Sequence, residues 1–83
     1  MVTYYVALPF VRLEDGGLAP GQAVECQHST AAIRRADAMS RDDANAGAVA
    51  FSRSGSPDVG EFDEAMILKT FGNVPDDFIS VST

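Results

Sequence analysis

The sequence predicts an α+β domain in which strand, helix, strand and strand follow one another, with one helix packed on a small, mainly antiparallel sheet. Three observations carry that expectation. Residues 2–13 form a long apolar, strand-like run, residues 30–43 hold an alanine-rich stretch of helical spacing, and residues 48–53 and 61–71 are apolar segments separated by a turn-forming loop.

In the first run, extended geometry puts Val2, Tyr4, Val6, Leu8 and Phe10 on one side and Tyr5, Ala7 and Val11 on the other. A strand apolar on both faces needs shelter on both. Pro9 points to an edge position or a bulge, because proline has no N–H for the ladder. Glu14-Asp15-Gly16-Gly17 ends the strand, Leu18-Ala19-Pro20-Gly21 reads as a proline-glycine turn, and residues 22–27 suit a short extended piece.

Ser29 or Thr30 is the expected N-cap of the helix, since a hydroxyl accepts a bond from an otherwise unpaired first-turn N–H. Ala32, Ile33, Ala36, Met39 and Ser40 fall on one helical face, with Arg34, Ala38 and Arg41 opposite. Such a face allows close approach to a sheet but buries little area. Asn45-Ala46-Gly47 is the expected stop, through a left-handed asparagine or glycine.

Residues 48–53 read as a strand, with Val49 and Phe51 on one face and Ala48, Ala50 and Ser52 on the other. Ser54-Gly55-Ser56-Pro57-Asp58-Val59-Gly60 is dense in turn formers, so residues 61–71 are expected to return as the second arm of a hairpin. Phe62, Ala65, Met66 and Lys69 also fit helical spacing, but the loop and the matching apolar segment before it favour a strand. Residues 1–75 are expected to form one domain, and residues 76–83 a tail that Phe78, Ile79 and Val81 would dock.

The 83 residues suffice for one modest core. A hydrophobic share of 46% against 22% charged residues indicates a folded chain rather than a disordered polyelectrolyte. The formal net charge of −6 repels phosphate backbones and anionic lipid, so neither nucleic acid nor a membrane is an expected partner. Cys26 has no second thiol with which to form a disulfide, which suits a reducing compartment. The opening segment lacks the basic region of a signal peptide and is too short for a span, and a cytoplasmic location is expected.

Few residues carry a chemical signal. Cys26 and His28 are the one thiol and imidazole, two apart, but catalytic pairs of this kind need a third, orienting group and are usually distant in sequence. Acidic residues gather at Asp42-Asp43, at Asp58, Glu61, Asp63 and Glu64, and at Asp76-Asp77. None has the spacing of a calcium loop, and Asp43-Ala44-Asn45-Ala46-Gly47 imitates only its opening. Arg34, Arg35, Arg41 and Arg53, with Tyr4, Tyr5 and Phe51 as stacking aromatics, would suit RNA, but acidic neighbours interrupt them. The glycines match neither nucleotide-binding fingerprint. No cofactor, metal or small-molecule ligand is expected.

An alanine-rich helix followed by Ala48-Val49-Ala50-Phe51-Ser52-Arg53-Ser54-Gly55, a Pro57-Asp58 turn and Leu68-Lys69-Thr70-Phe71-Gly72-Asn73-Val74-Pro75 resembles a group of small uncharacterised bacterial proteins. The resemblance implies a bacterial setting and brings no activity or site residue.

What remains is a surplus of apolar surface that one alanine-lined helix does not cover. The expected function is therefore a non-enzymatic interaction module that self-associates as a homodimer or binds a protein partner through an apolar sheet face. Tyr4, Tyr5, Phe10, Ile67 and Phe71 are the interface candidates, since aromatics concentrate at interface centres. The alternative is a small enzyme or metal-dependent hydrolase using Cys26 and His28, or the acids between Asp58 and Glu64.

Overall fold

The computed structural model describes residues 2–56 and 58–75; the expected tail at 76–83 lies outside them. The elements are β1 (Val2–Arg12), β2 (Leu18–Pro20), β3 (Val24–Cys26), α1 (Ser29–Ser40), β4 (Gly47–Ser56), β5 (Glu61–Phe62) and β6 (Met66–Gly72). Among the described residues, six strands join one antiparallel sheet beneath a single helix, an α+β fold.

β1 and β4 form the centre, paired from Val2↔Gly55 to Phe10↔Gly47. β2 and β3 lie end to end along the other edge of β1, and β5 and β6 lie end to end along the other edge of β4. Pro9 is thus in a central strand, not at an edge. Its missing N–H points into the break between β2, which ends opposite Phe10, and β3, which begins opposite Ala7. The Pro9 carbonyl faces the same break and accepts a 2.8 Å bond from the Gly21 N–H. The proline therefore removes a donor where the ladder is already interrupted.

Three short segments depart from local expectation. Ser54–Ser56, expected to open the turn, instead continue β4, paired with β1 and β5. Leu18-Ala19-Pro20 pairs with β1 instead of turning, because the reversal is completed earlier by Gly16 at φ 90° and by Asp15, whose carboxylate accepts from the Gly17 N–H at 2.8 Å. The arm expected at 61–71 is extended but broken. β5 ends at Phe62, the Asp63 N–H donates to Ser54 O, and β6 resumes at Met66 with a bulge between Ala50 and Phe51.

The helix also differs at both ends. Its N-cap is His28, not Ser29 or Thr30: an extended backbone lets Nδ1 accept the Ala31 N–H at 3.2 Å. The imidazole nitrogen does there what a carboxylate or hydroxyl oxygen does in other caps. At the C-terminus the Arg41 and Asp42 N–H groups reach Ala38 O and Met39 O, and the Asp42 carboxylate then accepts from the Ala44 N–H at 2.9 Å. That side-chain turn stops the helix three residues before the expected end. Asn45 contributes through its amide, which donates to Met39 O at 3.0 Å; neither it nor Gly47 takes a left-handed backbone.

Ala32 and Ala36 of the helix meet Ala7, Ala48 and Ala50 of the sheet, and all five are fully buried. Tyr5, Cys26, Ile33, Met39, Leu68 and Phe71 pack around them. Methyl groups on both sides bring helix and strands close together, so this layer is held by shape rather than by large buried area.

Candidate functional site

The β1–β4 register decides which side chains share a face. Tyr5, Ala7 and Pro9 lie beside Ser52, Ala50 and Ala48, the set against which α1 packs. Tyr4, Val6, Leu8 and Phe10 lie beside Arg53, Phe51, Val49 and Gly47, and β6 adds Ile67 opposite Phe51. This second set forms the face turned away from the helix.

Exposure along that face is graded. Phe10 is 2% exposed and Val49 0%, whereas Val2 and Phe62 at the opposite end are 44% and 41% exposed. Tyr4 is half-buried there, with its ring 6.1 Å from that of Phe62 at an interplanar angle of 47°. The Arg53 guanidinium sits 5.4 Å above the Phe62 ring while its Nε donates to Asp63 O at 3.1 Å. Each contact follows from pairing, since Tyr4 opposes Arg53 and Gly55 opposes both Val2 and Phe62. Gly55 has no side chain to occupy the space that the Phe62 ring fills.

Beside this ring pair runs a shallow groove lined by Gly55, Ser56, Gly60, Glu61, Phe62 and Asp63. The carboxylates of Asp58, Glu61, Asp63 and Glu64 are exposed, as is Val59 in the preceding turn. The segment therefore alternates apolar and acidic groups at the rim of the apolar face.

The interface candidates divide between the two sides. Tyr5 and Phe71 pack around the alanine layer under the helix, and Lys69 Nζ lies 5.3 Å above the Phe71 ring. Tyr4, Ile67 and Phe10 belong to the opposite face, Tyr4 near its exposed end and Phe10 at its sheltered one. Sequence reasoning missed Phe62, Val2 and Val59 as surface-forming residues. The available signal was an aromatic amid four acids directly after a turn, a poor position for a core side chain.

Cys26 and His28 are not brought together as nucleophile and base. The thiol donates toward Val24 O at 3.8 Å and packs at the alanine layer, whereas His28 Nδ1 is engaged as the helix cap. Among the described residues no three His, Cys, Asp or Glu side chains converge to hold a metal ion. The arginines do not form one patch: Arg41 pairs with Asp37 at 3.1 Å on the helix, and Arg53 lies on the opposite side of the sheet. No described helix is long and apolar enough to cross a membrane.

No protein-family model, curated protein or solved structure matches the chain.

Proposed function

We propose that this chain is a non-enzymatic interaction module that engages a protein partner, a second copy of itself included, through the apolar sheet face turned away from α1. The observation that carries this reading is the partly exposed, tilted Tyr4–Phe62 ring pair at the end of that face, with exposed Val2 opposite Gly55. Aromatic rings held on a sheet present large contact area at little further cost in side-chain entropy, which suits the centre of an interface.

A photo-crosslinking residue placed at position 62 of the full chain, and at exposed Arg35 on the helix as a control, tests the reading in cells. A discrete adduct from position 62 and none from position 35 is the expected result. An adduct of twice the chain's mass would identify the second copy as occupant, and failure to find any discrete adduct from position 62 would overturn the proposal.

A further inference from the structure

The apolar end of the sheet is bordered by four exposed carboxylates and a single guanidinium, that of Arg53. Phe62 and Val59 are 41% and 67% exposed, and the same short segment carries exposed Asp58, Glu61, Asp63 and Glu64. Glu61, Phe62 and Asp63 line a single groove. Arg53 lies over the Phe62 ring and donates to the Asp63 backbone oxygen rather than to a carboxylate, so the acids outnumber it four to one at this end.

Resting on the reading above, we propose that this groove receives an extended, cationic segment of a partner protein, whose apolar side chains meet Phe62 and Val59 while alternate lysines or arginines face the carboxylates. Charge complementarity selects this occupant over a second copy. A two-fold contact at this site would bring two identical acidic rims together, and like charges juxtaposed across an interface oppose association. A strand-like segment fits because its side chains alternate, as the apolar and acidic groups of the groove do.

The test uses the full chain and a fluorescein-labelled peptide alternating lysine with valine, followed by anisotropy at low and moderate salt. A peptide alternating glutamate with valine is the control. The lysine peptide should bind, the glutamate peptide should not, and added salt should weaken the complex. The paired substitutions Glu61→Gln and Asp63→Asn should weaken binding by about tenfold or more. Asp42→Asn with Asp43→Asn neutralises the same number of charges, from −6 to −4 in both cases, and should leave binding nearly unchanged. Phe62→Ser should abolish it, and Val59→Ser, at an exposed turn position two residues before the groove-lining Glu61, should weaken it while leaving the core untouched.

Equal losses from the two acid pairs would reduce the effect to overall charge and overturn the proposal, as would absence of binding. A dimeric mass by light scattering that Phe62→Ser makes monomeric would give the face to a second copy. That outcome overturns the cationic occupant while leaving the broader interaction reading in place.

Discussion

The ring of Phe62 occupies the space that a side chain on Gly55 would fill: a Cβ built on Gly55 overlaps Phe62 Cδ1 and the Glu61 carbonyl oxygen. Gly55 keeps an ordinary negative φ, so its requirement is closeness of approach rather than a left-handed backbone. The absence of one methyl group thus lets β5 reach β4 and lays Phe62 against Tyr4.

Gly55→Ala should therefore cost about 1–3 kcal/mol, the usual penalty for forcing atoms into a filled site. The change should displace Phe62 from Tyr4 and alter the near-ultraviolet circular dichroism of the tyrosines. Urea unfolding measures the first effect, and an unchanged midpoint with an unchanged tyrosine signal would refute the role of Gly55 in seating β5.

The alanine layer makes a second prediction. Ala36 is fully buried against sheet alanines, so Ala36→Leu should destabilise by ~1–3 kcal/mol although leucine is apolar and a good helix former. Exposed Ala38, two residues away, should accept leucine within about 0.5 kcal/mol. Val49→Ala, on the other face, should act by the opposite mechanism, leaving a cavity and costing roughly 2 kcal/mol. Denaturant titration of the three variants separates these cases, and equal tolerance at positions 36 and 38 would argue against close helix–sheet contact.

The helix cap can be assigned by substitution. His28→Ala should lower stability by about 0.5–1 kcal/mol, and His28→Asp should raise it, because aspartate is a strong N-cap and the first turn of α1 holds no acidic residue to complement the helix dipole. Ser29→Ala should change stability by less than ~0.5 kcal/mol. Thermal unfolding near neutral pH, where an aspartate is ionised, is the measurement. A larger loss from Ser29→Ala than from His28→Ala would return the cap to the hydroxyl.

The elements that could be read from the chain are those whose local pattern and tertiary role agree. The long apolar run became β1, the alanine spacing became α1, and the segment around Phe51 became β4, each with small errors at its ends. Misreadings occurred where one residue type serves two conformations. Pro20 and Gly21 have turn chemistry, yet Leu18–Pro20 follows β1 because Gly16 has already reversed the chain. Ser29 and Thr30 are better caps by type than His28, but the backbone entering the helix puts the imidazole in reach of Ala31.

The candidate surface was only half legible. Alternation along β1 is enough to separate Tyr4 from Tyr5, and it marks the chain as apolar on both faces. It does not say which face receives the helix. That was decided by the β1–β4 register, which gathers Ala7, Ala48 and Ala50 into a small-residue surface that the Ala32–Ala36 face of α1 packs against, leaving Tyr4 on the other side to meet Phe62. Sequence patterns specify periodicity within a segment, so they determined that strands and a small-faced helix would form. The choice of neighbours depends on contacts between residues far apart in the chain, and those exist only once the sheet has closed.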